Sequence, residues 1–436
     1  MADRRLTRRR VLHASLAAAA LAARPALAAP YVLTRGSKLT FWGGLIFSDR
    51  ANKLLVDTVN AWGASVGIAT DVVMINQNET VQKVSAAVAA GTMPDVLDLN
   101  SDLLLVLSRQ GVFLNLDGLY ADIGRAQGGW YPSVALATDT SALAGGRTGI
   151  PFGASGNILL RRADLLGKAG FSKPPATWEE MVAQSVAVTK GTVFGMGLAL
   201  SNVGDGNTQV GVLQSYGGRI ADDAGKNAAI KSEATRTYLA WVKGAWDKKL
   251  FPPGNTTWDG AGDNNAYLSG QAVFIANTGS VGIAAKTDDP ELYKATLYSS
   301  LPAGPKGVVS PIAPNLRSIP KTSKNPEAAK ALIEHLSQPA FMNAYFESAI
   351  YGPVLQGQAG FKAFDGKDPI LAGLLDLVLK GTAPGYPDLY NIAYAETWNN
   401  FVVPKMIQRV VIDGWDFDRA MDEAQRSTQA IYDKYK

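Results

Sequence analysis

Trp258 and Asp259 sit side by side in residues 254–264, a run rich in glycine and asparagine where no core periodicity accounts for an indole. A second polar group, Asn277-Thr278-Gly279-Ser280, follows directly on the apolar run 272–276. Two more sit after apolar runs earlier in the chain: Trp42-Gly43-Gly44 and Asn100-Ser101-Asp102. Ser155 lies within the short polar stretch 153–157. Flat rings next to amide, hydroxyl and carboxylate groups suit a small molecule with apolar C–H faces and a rim of hydroxyls. The ring covers the face, and the polar groups make paired hydrogen bonds to the rim. Each residue has a plainer alternative role. Trp42 could be a core aromatic, and Asp102 could cap the helix that starts near Leu103. Asn277 and Ser280 could be turn formers, and Trp398 falls at helical spacing with Tyr394 and Phe401.

Other chemistry is excluded by composition. The chain has no cysteine and only two histidines, His13 and His335, so neither thiol catalysis nor a zinc-thiolate site is available. His335 falls between Leu332 and Leu336 on a predicted helix and reads as structural, so a Ser-His-Asp site, a metal site and a cofactor are not expected. A glycoside hydrolase would need two carboxyl groups at a set separation, which spacing along one chain does not reveal.

Residues 1–28 read as a cleavable export signal: Arg4, Arg5, Arg8, Arg9 and Arg10, then an alanine-rich run, then Ala26-Leu27-Ala28 at the expected cut. Thr7-Arg8-Arg9-Arg10-Val11-Leu12 resembles the twin-arginine motif. The apolar run of about a dozen residues falls short of the ~20 needed to span a bilayer. Without cysteine there is no lipid anchor, so a free periplasmic protein is expected. The segment carries six arginines against one aspartate, so its removal takes the net charge from +4 to −1 and argues against nucleic acid as a partner.

The remaining length suits two lobes. Strand and helix alternate: strand 38–42 broken by Gly43-Gly44, helix through Ala51 to Trp62, strand 71–75, helix 81–90 stopping at Gly91, strand 95–99. Such alternation predicts an α/β fold with mostly parallel sheets. Thr177-Trp178-Glu179-Glu180 predicts a capping box, Asn325-Pro326-Glu327 a helix start, and Phe417 to Ile431 a closing helix.

Several ordered segments carry a family resemblance: Leu39-Thr40-Phe41-Trp42-Gly43, Gly91-Thr92-Met93-Pro94-Asp95, Gly149-Ile150-Pro151-Phe152, Pro174-Pro175-Ala176-Thr177-Trp178, Tyr267-Leu268-Ser269-Gly270-Gln271 and Lys324-Asn325-Pro326-Glu327. In this order they resemble the extracellular solute-binding proteins of ABC importers, of the maltose-binding-like, carbohydrate-binding group. The resemblance implies a two-lobe periplasmic binding protein fold of type II, with three hinge crossings and the ligand in the cleft between lobes. It places one lobe at 31–151 plus 314–350 and the other at 152–313 plus 351–436. It also implies a monomer that hands a small carbohydrate to the permease subunits of an importer; a polyol, phosphorylated polyol or polyamine is the alternative. Expected ligand-binding residues are Trp42, Gly44, Asn100, Asp102, Ser155, Trp258, Asp259, Asn277, Ser280, Asn315, Arg317, Tyr351 and Trp398. Asn315, Arg317 and Tyr351 enter as residues of the expected crossings, where a charged side chain could instead tie the lobes together. Ser155 stands where the maltose-binding pattern has a carboxylate, and Ser280-Val281 where it has an aromatic, which argues against maltose-type oligosaccharides.

Overall fold

The computed structural model describes residues 31–46 and 48–436; the expected export signal lies outside them. Among the described residues nine strands form two sheets. The first contains β1 (Lys38–Leu45), β2 (Ala69–Asn76), β3 (Val96–Asn100), β4 (Ile150–Ser155) and β9 (Ala313–Ser318), in the order β2-β1-β3-β9-β4. The second contains β5 (Ile158–Arg162), β6 (Phe194–Met196), β7 (Ala272–Asn277) and β8 (Thr296–Ser299), in the order β6-β7-β5-β8.

The sheets are less parallel than the alternation of elements predicts. β1 pairs in parallel with β2 and β3, and β6 with β7, as expected. β9 runs antiparallel to both β3 and β4, and β5 antiparallel to both β7 and β8. The reason is topological. β5 and β9 are the first strands after the chain passes from one sheet to the other, so each enters its new sheet at the edge where the parallel strands end. Periodicity cannot carry this information, because a buried strand reads alike in either direction.

Local signals fare better. Ser48 caps the helix Asp49–Val66 by accepting from the Ala51 amide, and Gly67 ends it with φ 74°, a conformation that favours glycine. The helix Gln77–Ala90 stops at Gly91, φ 67°, where the sequence placed it. The expected break at Gly43-Gly44 does not occur: β1 runs on to Leu45, pairing Gly43 with Met74 and Gly44 with Ile75. A Cβ on Gly43 would lie 2.6 Å from the Met74 sulfur, so this glycine permits a close side-chain approach within the strand.

The capping box at Thr177 is half formed. The Thr177 hydroxyl accepts from the Glu180 amide at 3.1 Å, but Glu180 accepts from the Ala176 amide at 2.8 Å, one residue before the cap. Thr177→Ala is expected to cost about 0.5–2 kcal/mol in urea denaturation, the usual loss for a helix cap. The later signals hold, with helices at Pro326–Leu336 and Phe417–Asp433.

One core joins the first sheet to its helices, with Leu39, Phe41, Leu55, Val59 and Leu332 fully buried. Tyr351, Val354, Leu374 and Val378 belong to that core as well. A second core around Trp178, Tyr238, Phe274, Tyr394 and Ile407 backs the second sheet. Among the described residues no helix is long and apolar enough to cross a membrane.

Candidate functional site

The carboxyl ends of the first sheet's strands gather four of the expected residues into a row. Asn100, the last residue of β3, is in register with Asn315 of β9; Asn315 also pairs with Gly153, and Ser155 at the end of β4 pairs with Ala313. The Asn315 side-chain amide donates to the Ser155 hydroxyl at 3.4 Å, and that hydroxyl donates to the Ala313 carbonyl at 3.1 Å. Asn100 spends its carbonyl oxygen on the Leu103 amide at 2.8 Å, capping the helix Ser101–Arg109 and leaving its NH2 group as a donor. Gly44, on the neighbouring β1, donates its amide to Asp98 at 3.4 Å. Crevices outside the carboxyl ends of strands are where open α/β sheets bind ligands, and these groups offer uncharged donors and acceptors there. Trp42, two residues before Gly44, is half-buried and packs against the core cluster of Leu97, Leu99 and Leu103.

Arg317 and Tyr351 lie deeper. Arg317 has no exposed surface; it is in register with Asp98, with Nε 3.2 Å from Oδ1, and its guanidinium carbon sits 4.1 Å from the centre of the Phe152 ring. Tyr351 meets Phe152 edge-on at 5.6 Å and stacks on Tyr345 at 6.2 Å. Burial pushes the Asp98 carboxyl up to about 6, against the opposing pull of Arg317.

On the second sheet, Asn277 and Ser280 come together with two partners the sequence did not single out. The Asn277 amide donates to Asp263 at 2.8 Å and to Asn264 at 2.7 Å, while its carbonyl oxygen accepts from the Gly279 amide at 2.9 Å and the Ser280 hydroxyl at 3.0 Å. All four side chains are buried, so the group is a network in its own right. Trp258 packs so tightly on Gly262 that a Cβ there would fall 2.3 Å from it, and Trp258 and Asp259 line an open pocket of about 480 Å3. Asp259 is exposed and accepts from the Ala261 amide at 3.0 Å. The next residue, Gly260, approaches the start of the helix Gln77–Ala90, since a Cβ there would lie 2.6 Å from Gln77. Burial, reinforced by the charges of Asp263 and Asp259, holds Asp205 well above the usual carboxylate range.

Trp398 is half-buried against the second core and stacks on Tyr394 at 6.4 Å. Asp102 has a partner that sequence reasoning missed: the Tyr390 hydroxyl donates its proton to Asp102 at 2.7 Å, and its oxygen lies 3.0 Å from the Ser101 hydroxyl. A signal was available, because Tyr386 and Tyr390 stand in the irregular run Gly385-Tyr386-Pro387-Asp388-Leu389-Tyr390, the same pattern that drew attention to Trp258. Asp388 of that run has a fully enclosed side chain that accepts from Gln214, Arg219 and the amides of Ile220 and Ala221 at 2.8–3.1 Å.

Burial pushes the Asp102 carboxyl up to about 6, against the Tyr390 hydrogen bond. A folded-state value above the unfolded one means that the contribution to stability is present in full below about pH 4 and is lost as pH rises through 6. Asp102→Asn is therefore expected to flatten part of the fall in melting temperature between pH 4 and 7; a calorimetric pH series checks it.

A cavity of about 580 Å3, lined by none of these side chains, lies between β8 and the helix Pro369–Lys380. Among the described residues no cluster of His, Asp and Glu is arranged to hold a metal ion.

Comparisons with known proteins agree with this architecture. A binding protein of Brucella abortus (strain 2308) is 24% identical over 299 residues, covering 67% of this chain and 70% of its own. Among solved structures, a solute-binding protein of Agrobacterium radiobacter K84 in complex with ribitol superposes with a TM-score of 0.79 at 18% identity, covering 92% of this chain and all of its own. A maltose-bound protein of T. maritima superposes with a TM-score of 0.76 at 19% identity, covering 91% of this chain and all of its own. Those likenesses establish the two-lobe fold, and the family model for bacterial extracellular solute-binding proteins matches residues 57–365. The chain belongs to the family of bacterial extracellular solute-binding proteins.

Proposed function

We propose that this protein captures a neutral carbohydrate or polyol in the cleft between its lobes and delivers it to the permease subunits of an ABC importer. The carrying observation is the row of Gly44, Asn100, Asn315 and Ser155, which offers amide and hydroxyl groups and no charge at the carboxyl edge of the first sheet. Hydroxylated, uncharged ligands match such groups. The ligands of the structural relatives, ribitol and maltose, support the same class.

In this reading the lobes are the expected 31–151 plus 314–350 and 152–313 plus 351–436, with 351–380 moved to the first because Tyr351, Val354, Leu374 and Val378 pack in its core. Trp42, Trp258, Asp259, Asn277, Ser280 and Trp398 contribute around the cleft or brace it, while Arg317 and Tyr351 act from beneath. The protein is exported to the periplasm with its signal removed near Ala28, is not lipid-anchored, works as a monomer, binds no nucleic acid and has no catalytic activity. The acidic group Asp205, Asp259 and Asp263 favours a second reading, a ligand with an amine.

Thermal-shift and calorimetric titration of the signal-free protein with ribitol, D-tagatose, maltose, laminaribiose and spermidine tests both readings. A ligand that binds only the folded state raises the melting temperature, by mass action. Binding of a sugar or polyol with no product formed is the expected result. A response to spermidine alone would replace it with the amine reading, and steady hydrolysis of a disaccharide would overturn both.

A further inference from the structure

Tyr390 joins parts of the molecule that belong to different cores. Its hydroxyl lies between Ser101 and Asp102, the first two residues of the helix that follows β3 of the first sheet. Tyr390 itself leads into the helix Ile392–Asn399, whose Ala393 and Tyr394 are buried in the core behind the second sheet. The contact lies apart from the stretches where the chain itself passes between sheets, at residues 156–157, at 300–312, and at Thr382, which pairs with Pro311.

The hydroxyl is presented by a firm base. Asp388, two residues earlier, is held by four donors, as described above. Asn391, one residue later, caps the helix by accepting from the Tyr394 amide at 2.9 Å and donates to the Gly225 carbonyl at 2.9 Å. The Tyr390 ring meets Tyr394 edge-on at 5.9 Å. A second contact of the same sense lies at the other end of that helix, with the Arg109 guanidinium carbon 5.4 Å from the centre of the Tyr435 ring. Both contacts tie the helix Ser101–Arg109 to side chains packed on the second core.

We infer that Tyr390 is a latch between the lobes, which holds them together through Ser101 and Asp102 and so sets the affinity for whatever the cleft takes without touching it. In a two-state equilibrium the apparent dissociation constant is the intrinsic one divided by the fraction of molecules in the competent form. A hydrogen bond to a carboxylate made only in the closed form therefore raises that fraction. The inference rests on the two-lobe binding reading, but its first test does not depend on the identity of the ligand.

Small-angle X-ray scattering of the ligand-free, signal-free chain compares the native protein with Tyr390→Phe and Asp102→Asn. Tyr390→Phe is expected to increase the radius of gyration of the free protein, while its midpoint in urea stays close to native. For a sugar from the panel above that binds the native chain, affinity should fall roughly 10-fold or more, and saturating ligand should restore the native radius. Asp102→Asn keeps an acceptor and should fall between the two. Unchanged compactness and affinity in Tyr390→Phe would overturn the latch. A native chain that binds none of the sugars or polyols would sink the carbohydrate reading instead, leaving the scattering comparison to decide the latch by itself.

Discussion

Arg317→Ala should destabilise the protein by about 3–5 kcal/mol, the usual consequence of removing one partner of a buried ion pair. The guanidinium has no exposed surface, and Asp98, its partner, is 8% exposed. Without Arg317 the Asp98 carboxylate would keep only the long 3.4 Å contact from the Gly44 amide. The Phe152 ring would lose the cation that covers it at 4.1 Å. The double replacement Arg317→Met with Asp98→Leu should recover most of the loss or exceed native stability, because two desolvated charges go together. None of the guanidinium nitrogens has an aligned acceptor, which makes the apolar pair the stronger competitor. Urea denaturation reads both variants as a change of midpoint at constant slope. A single variant within 1 kcal/mol of native would mean that the pair contributes nothing beyond filling space.

Asp388→Ala should have an effect of similar size, about 3–5 kcal/mol, by a different route. Here four donors converge on one enclosed carboxylate, and its removal takes the acceptor from the Arg219 Nε and from two backbone amides. The cost extends to binding, since the segment from Gly385 to Tyr390 loses the anchor that positions Tyr390 against Asp102. Asp388→Asn, which keeps the shape and one acceptor oxygen, should lose less. Ligand titration beside urea denaturation separates the two consequences. Native affinity in a destabilised Asp388→Ala would show that the segment holds its place without the anchor.

Some candidate residues were legible from type and neighbourhood alone. Asn100 and Ser155 stand at the ends of strands, the places where open α/β sheets bind ligands. Asn277 and Ser280 were legible as a pair, though not as members of a network with Asp263 and Asn264, whose positions in a short helix carry no special pattern. In the sequence Arg317 is marked only by its nearness to an expected crossing. Its depth was invisible, since only the pairing of β9 between β3 and β4 brings it over Phe152 and beside Asp98.

Short-range physics lies open in the chain itself. The capping hydroxyl of Thr177, the left-handed glycines Gly67 and Gly91, the proline at the start of the helix Pro326–Leu336 and the apolar stripe of Phe417–Asp433 depend on atoms a few residues apart, so they read out in order. The ordered motifs carried the family as well. Folding alone decided the antiparallel return of β5 and β9, the burial of Arg317, and the meeting of Tyr390 with Asp102 across 288 positions. Contacts at that separation follow from how whole sheets and helices pack, and no local pattern of residue types encodes which distant group will arrive.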